Sequence, residues 1–206
     1  MDWKGFESLQ EYVNLRVDEF SLIPEKRKAS LAALAKTISE DESDTINIIF
    51  ICTHNSRRSH MAHLWASLAA SVYGTERVAC YSGGTEVSSF NSMAVNAIKS
   101  AGFGISVKIP GANPVYLLSY PGAKEGVRVF SKKYTDPPNP PRNFHAVMTC
   151  SNADEACPIV TGAASRHVIT YEDPKASDGT PQVQEVYDER CRQISREMLY
   201  LFSLTN

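Results

Sequence analysis

Residues 46 to 59 read Ile46-Asn47-Ile48-Ile49-Phe50-Ile51-Cys52-Thr53-His54-Asn55-Ser56-Arg57-Arg58-Ser59. Four of the first six are β-branched isoleucines and five are apolar, a pattern that suits a short strand buried on both faces of a parallel sheet. At Cys52 the apolar run stops. A polar loop follows, and then Met61, Leu64, Trp65 and Leu68 recur at three- and four-residue steps, so a helix is expected through about Tyr73. The unit is strand, loop, helix. Open sheets built from such units bind ligands beyond the carboxyl ends of their strands.

The alternation continues outward from this unit. Strands are expected near Val78 to Tyr81, at Ala146-Val147-Met148-Thr149 and at His167 to Tyr171. Helices are expected from about Ser92 to Ala101 and, after Pro181, from about Gln182 to Phe202. The fold class is therefore α/β with a doubly wound parallel sheet, and Cys52, Cys150 and Asp173 all fall at or just past strand ends. Residues 107 to 144 break the pattern: Val115 to Tyr120 and Val127 to Phe130 flank Pro121-Gly122-Ala123-Lys124-Glu125-Gly126, which reads as an inserted β-hairpin. Upstream, Phe6, Leu9, Val13, Val17 and Phe20 mark one helix and Ala29 to Ile38 a second, with Pro24 suited to its first turn. The acidic stretch Glu40 to Asp44 then links this N-terminal helical extension, residues 1 to 44, to a main domain of residues 45 to 206.

With 206 residues, 43% of them hydrophobic, the chain can bury one sizeable core. A net charge of -2 with scattered basic residues argues against nucleic acid and membrane surfaces as partners, so any anion recognition must be local. The start, Met1 to Gly5, has no charged region leading into an apolar run, and the expected location is cytoplasmic. Five cysteines, at positions 52, 80, 150, 157 and 191, then point to catalysis, redox exchange or core packing rather than structural bridges.

Cys52 to Arg58 forms a Cys-x5-Arg loop between a strand end and a helix start. Peptide N–H groups of the turn and the unpaired donors of the first helical turn can converge there, and the helix dipole adds positive potential. A tetrahedral oxyanion suits that point, and the same field favours a thiolate at Cys52 as the nucleophile. Arg58 brings a planar fork able to grip two oxygens. Ser59 can donate its hydroxyl to the sulfur, and Asn55 suits a turn conformation. The expected oxyanion-binding residues are thus Thr53, His54, Asn55, Ser56, Arg57 and Arg58. His54, His60 and His63 lie near one another in sequence, but no matching carboxylate or thiolate spacing accompanies them, and neither a metal nor a bound cofactor is expected. Cys80 and Cys191 read as core residues.

The segments Cys52 to Ala62, Ser82-Gly83-Gly84-Thr85-Glu86 and Asp173-Pro174 resemble the superfamily of low-molecular-weight protein tyrosine phosphatases and the thioredoxin-coupled arsenate reductases that share their fold. The resemblance implies a four-stranded parallel sheet of the low-molecular-weight phosphatase type, with Cys52 as nucleophile, Arg58 as oxyanion clamp and Asp173 as general acid or base. Cys150-Ser151-Asn152-Ala153-Asp154-Glu155-Ala156-Cys157-Pro158 resembles the reductase branch. It implies a relay in which Cys52 forms a thiol-arsenate adduct, Cys150 attacks it to release arsenite, and Cys157 closes a disulfide that thioredoxin, an external reductant, reduces. The alternative is hydrolysis of a phosphate monoester through a phosphocysteine at Cys52. Three positions depart from the family pattern: His54 stands where glycine is usual, Arg57 where a second loop cysteine is usual, and His63 where some reductases carry an acidic potassium ligand. The expected partners are an arsenate or phosphate oxyanion and thioredoxin. The inserted hairpin is a candidate for covering the site, for docking thioredoxin or for a homodimer contact; Tyr116, Tyr120 and Phe130 on it are the candidate aromatic walls of a phosphatase cleft.

Overall fold

A computed structural model describes residues 1 to 206 except Glu76, Lys124, Cys157, Pro158 and Asn206. Two N-terminal helices, α1 (Glu7–Asp18) and α2 (Glu25–Glu40), precede the sheet-forming part. Then come β1 (Ile46–Cys52), α3 (Arg58–Val72), β2 (Val78–Gly84), α4 (Ser92–Ser100), β3 (Gly104–Ile109), β4 (Val115–Ser119) and β5 (Val127–Val129). The chain finishes with β6 (Phe144–Met148), α5 (Ser151–Ala156), β7 (Ala163–Val168) and α6 (Val183–Ser203).

The main sheet has the order β2-β1-β6-β7 and every pairing in it is parallel. The chain runs outward from β1 to β2 and then returns past β1 to β6, so the connections diverge at the end of β1. That reversal opens a crevice at the carboxyl end of the central strand, where Cys52 sits. Ile51 pairs with Met148. Thr149 N–H then donates to the Ile51 carbonyl at 2.7 Å, so Cys150 leaves the sheet beside the Cys52 loop.

Burial explains the apolar runs. Ile48, Ile49, Phe50 and Ile51 are sealed between α3 and α6 on one face and α5 with Val160 on the other. Trp65 of α3 stacks on Tyr12 of α1 at 5.3 Å and meets Phe103 edge-on at 5.0 Å, while its Nε1 donates to Cys191 at 3.2 Å. Leu9, Val13, Leu31, Leu34 and Ile38 of the N-terminal helices belong to the same core. Arg27 adds a polar tie from α2, donating to Glu197 on α6 and to the Thr170 carbonyl.

Two expectations need correction. The last parallel strand is Ala163–Val168, earlier than the expected His167 to Tyr171. Small and polar residues open β7 because pairing with β6, not local propensity, holds it; beyond Val168 the chain still bonds alongside, through Ile169 N to Met148 O and Tyr171 N to Thr149 O. The hairpin of β4 and β5 is present and antiparallel, but β3 adds to it, making a three-stranded sheet of order β3-β4-β5. The expected insertion boundary at residue 107 thus falls inside a strand. Alternation of Ile105, Val107 and Ile109 with Ser106 and Lys108 is the period-two signal for β3 that the sequence reading passed over.

Candidate active site

The loop from Cys52 to Arg58 is pinned by its carbonyl groups. The Cys52 carbonyl accepts from Thr85 N at 3.2 Å, that of Thr53 from Glu86 N at 2.8 Å, and that of Ser56 from Asn91 N at 2.9 Å. The His54 carbonyl accepts from the hydroxyls of Ser131 (2.9 Å) and Ser88 (3.2 Å). In a planar trans peptide the following N–H points away from the carbonyl. Carbonyls held outward by the β2–α4 connection and Ser131 therefore turn the loop N–H groups toward its inside. Those of His54 to Arg58 donate to no acceptor among the described residues. A Cβ at Gly84 would lie 2.6 Å from the Thr53 oxygen and 2.8 Å from the Asn55 nitrogen, so this close packing requires glycine there.

Asn55 takes the left-handed conformation, with φ 44°, which asparagine tolerates better than most residues. Its side chain spans the turn, Oδ1 accepting from Lys132 N at 3.0 Å and Nδ2 donating to Ser59 Oγ at 2.9 Å. With its lone pair engaged by Asn55, the Ser59 hydroxyl can direct its proton to Cys52 Sγ, 3.1 Å away. Both Cys52 and Ser59 are buried, and α3 begins at Arg58, which brings its positive end to the same place.

Arg58 Nη1 donates to the Tyr171 carbonyl at 3.0 Å and Nη2 to Asp173 Oδ2 at 2.6 Å, while its buried Nε has no partner among the described residues. Asp173 also caps a short turn, Pro174–Ser177, accepting from Lys175 N through Oδ1. The sequence places Arg58 and Asp173 far apart; the carboxyl ends of β1 and β7 bring them into contact. Arg57 behaves differently from its neighbour: its guanidinium is held by Tyr187 and Asp178, so what it offers the inside of the loop is its peptide N–H.

On the other side, Cys150 is buried in the cluster that contains Cys52, and its Sγ lies 3.5 Å from the Thr53 hydroxyl. Ala153 N–H donates to that sulfur at 3.4 Å as α5 begins. Cys157 lies outside the described residues.

Behind the loop are three basic side chains. His60 is fully buried, with Nδ1 3.1 Å from Ser82 Oγ. Burial, reinforced by Lys132, holds His60 well below the usual histidine range and His63 at about 3, so both stay neutral. Lys132 is pushed down to about 8 by its own burial. His54 stands apart on the surface, 3.2 Å from Glu86. Among the described residues no group of three histidines, cysteines or carboxylates could hold a metal ion. Tyr116 packs edge-on against Phe90 and Tyr120 against Phe103, so both rings are engaged in the main core. A cavity of about 860 Å³ lies between α3, β2 and the antiparallel sheet, lined by His63, Ser67, Cys80 and Tyr120 and by no residue of the loop. The Cys80 thiol there is pushed up to about 12 by burial and is a poor nucleophile.

Sequence reasoning missed Ser88, Ser131, Lys132, Asp178 and Tyr187. Each reaches the site from a distant element, and no local motif marks it.

The arsenate reductase 2 of Staphylococcus epidermidis is 30% identical over 146 residues, spanning 71% of this chain and 91% of that protein. The arsenate reductase of Bacillus subtilis is 27% identical over 146 residues, 70% and 86% of the two chains. No family model matches the sequence. Among solved structures, a low-molecular-weight phosphotyrosine phosphatase of Vibrio cholerae superposes with a TM-score of 0.53 at 11% identity, covering 77% of this chain and 95% of that one. A low-molecular-weight protein tyrosine phosphatase of T. tengcongensis gives 0.52 at 16% identity, covering 77% and 99%. At those identities the superpositions speak for the fold, and the sequence relatives speak for the branch: the chain belongs to the arsenate reductase family, built on the low-molecular-weight phosphatase fold.

Proposed function

We propose that the protein reduces arsenate to arsenite through Cys52, Cys150 and Cys157, with thioredoxin as the external reductant. The observation that carries this reading is Cys150: a second buried sulfur, delivered by the strand next to β1, lies 3.5 Å from the Thr53 hydroxyl of the loop. A phosphatase mechanism has no use for it. Sequence relatives named arsenate reductases support the same choice.

In the proposed sequence the Cys52 thiolate attacks arsenic and forms the S–As bond. One arsenate oxygen departs as water, taking protons that Asp173 helps to deliver. Loop N–H groups of Thr53 to Arg58 and the Arg58 fork hold the remaining oxygens. The Cys150 thiolate then attacks Cys52 sulfur; the S–As bond breaks, its electron pair goes to arsenic, and arsenite leaves as a Cys52–Cys150 disulfide forms. Cys157 attacks Cys150 and frees the Cys52 thiolate. The resulting Cys150–Cys157 disulfide is returned to two thiols by a dithiol of the thioredoxin class. Net, arsenate and two thiols give arsenite, a disulfide and water.

Geometry adds a requirement. Residues 150 and 157 flank α5, and seven residues of helix rise about 10 Å, whereas a disulfide needs Cα atoms roughly 4.4 to 6.8 Å apart. The α5 segment must therefore unwind on oxidation, and hydrogen-exchange protection at residues 151 to 156 should fall in the oxidised protein. Identical protection in both redox states would count against the relay. In the same reading, residues 1 to 44 are a helical extension packed on a main domain of residues 45 to 206.

The test is turnover of arsenate by reduced protein with thioredoxin, thioredoxin reductase and NADPH, following NADPH loss. Wild type should turn over, and Cys52→Ser, Cys150→Ser and Cys157→Ser should not. Retained turnover in Cys150→Ser or Cys157→Ser removes the relay. Absent wild-type turnover with Cys52-dependent hydrolysis of an aryl phosphate moves the assignment to phosphatase, which the fold and the Arg58–Asp173 contact would also serve.

A further inference from the structure

Arg57 and Arg58 are consecutive, and they hold the two ends of one segment. Arg58 grips the beginning, at the Tyr171 carbonyl and the Asp173 carboxylate. Arg57 grips the end. Its Nη2 donates to Asp178 Oδ2 at 2.9 Å and its Nε to the Tyr187 hydroxyl at 2.6 Å. That hydroxyl donates in turn to Asp178 Oδ1 at 2.7 Å, closing a ring of three groups. Tyr187 is fully buried on α6, and the Arg57 side chain is only 13% exposed. Burial raises Tyr187 to about 12, so its hydroxyl keeps the proton it gives to Asp178.

The two grips differ in what an oxyanion does to them. The Arg58 fork is the loop's clamp for an oxyanion, so an arriving anion competes with Asp173 for it. When the fork turns to the anion, the near end of the segment keeps backbone bonds such as Tyr171 N–H to Thr149 O, the contact of Glu172 with Arg190 at 3.3 Å, and the cap in which Asp173 accepts from Lys175 N–H; of these only the cap bears on the Asp173 carboxyl itself. The Arg57 grip uses atoms that face Tyr187 and Asp178, and it is untouched by that exchange. The guanidinium presents its two donors in one rigid planar fork, a geometry that a lysine ammonium does not match.

We propose that Arg57, with Asp178 and Tyr187, is a positioning device that keeps the 173 to 178 segment, and with it the Asp173 carboxyl, at the loop while Arg58 is engaged by the oxyanion. The inference rests on Asp173 being the acid of the proposed reaction. Misplacement of a reacting group by about 1 Å costs on the order of a hundredfold in rate. Loss of the clasp should therefore appear mainly in kcat.

The test uses the full chain and three variants. Tyr187→Phe removes one oxygen and leaves the ring in the core; Arg57→Leu removes the clasp; Arg57→Lys keeps a charge for Asp178 without the bond to Tyr187. In the arsenate assay, kcat should fall about tenfold for Tyr187→Phe and about a hundredfold for Arg57→Leu, with Arg57→Lys between them and KM within about threefold. The second readout needs no turnover: hydrogen exchange at the Ala176 and Asp178 amides, with and without saturating inorganic phosphate. Phosphate should leave these amides protected in wild type and speed their exchange at least tenfold in Arg57→Leu, because only in the variant is neither arginine left to hold the segment. Equal exchange in wild type and Arg57→Leu with phosphate bound would overturn the proposal, as would a kcat loss in Tyr187→Phe that merely tracks a lower melting temperature. A protein that shows the phosphate-dependent difference but never reduces arsenate would sink the reductase reading and leave the clasp standing.

Discussion

At the carboxyl ends of β1 and β6 the structure gathers Cys52, Ser59, Cys150 and Asp173 around a loop with free N–H groups. Beside the C-terminus of α2, toward the amino end of β6, it gathers Asp41 and His145 with Ser165 and His167 of the neighbouring β7. There Asp41 Oδ2 lies 2.8 Å from His145 Nε2, His145 Nδ1 lies 2.7 Å from Ser165 Oγ, and that hydroxyl lies 3.0 Å from His167 Nε2. Aspartate, histidine and serine in a line make a composition that elsewhere activates a nucleophile. Here each polar atom is bound to the next, and Ser165 sits within a strand rather than on a turn before a helix, so no first-turn donors face it. The difference lies in what remains unsatisfied. A run of mutually satisfied groups holds the sheet to α2; a set of donors left without acceptors is a place for a ligand.

The sharpest way to break this comparison is to damage each end and measure the same reaction. Arg58→Lys removes the planar fork but keeps the charge, and kcat/KM for the oxyanion substrate should fall about a hundredfold, equivalent to about 3 kcal/mol. Ser165→Ala, at the other end, should leave kcat/KM within about twofold while costing about 1 kcal/mol of stability, because it strands two histidine nitrogens. Comparable kinetic losses in both variants would mean that the satisfied chain takes part in the reaction.

A smaller effect, of opposite sign, is expected from the basic group behind the loop. Where His145 has Asp41, Lys132 forms no salt bridge among the described residues, and burial lowers it from 10.5 to about 8. A lysine lowered in the folded state burdens that state fully below pH 8; the burden fades as pH rises toward 10.5, because the folded form sheds a proton that the unfolded form still holds. Lys132→Met should therefore stabilise the protein by about 2 kcal/mol at pH 7, after allowance for the lost contact of the ammonium with the Phe130 ring. Urea unfolding from pH 7 to 10 should show the gap constant up to pH 8 and narrowing above it. A variant less stable than wild type at pH 7 would show that the ammonium's contacts outweigh the cost of its burial.

What the sequence disclosed follows the range of the forces involved. The strand of residues 46 to 52 and the helix after it were legible because burial on both faces of a strand, and on one face of a helix, writes a short period into consecutive residues. The Cys-x5-Arg loop was legible for the same reason: its donors, sulfur and guanidinium lie within one turn of chain. Asp173 could be placed near a strand end but given a role only through a family resemblance, and its contact with Arg58 spans 115 positions. Asp178, Tyr187 and Ser131 left no mark at all, since an aspartate in a loop, a tyrosine on a long helix and a serine after a strand are ordinary residues until β1, α6 and the antiparallel sheet bring them to one point. β7 was misplaced because its first residues are strand-like only by virtue of their neighbour, and β3 was overlooked although its alternation was there to count.

The smallest effect belongs to the satisfied end and has a definite pH window. Bonds from Ser43, followed by the approach of His145, hold the Asp41 carboxyl at about 2 instead of 3.8. A carboxyl lowered in the folded state contributes stability above its ordinary value and loses it as pH falls toward the folded value. Its side chain is 21% exposed, so solvent screening reduces the full linkage value to about 1 kcal/mol. Asp41→Asn should thus be less stable than wild type by about that amount between pH 5 and 7, and the two should converge as pH is lowered from 4 toward 2, with oxyanion turnover at neutral pH unchanged throughout. Turnover that fell with Asp41→Asn would tie the two ends of the sheet together energetically. Convergence without any kinetic change would mark this cluster as a fastening for α2, and leave the chemistry wholly to the end where donors are free.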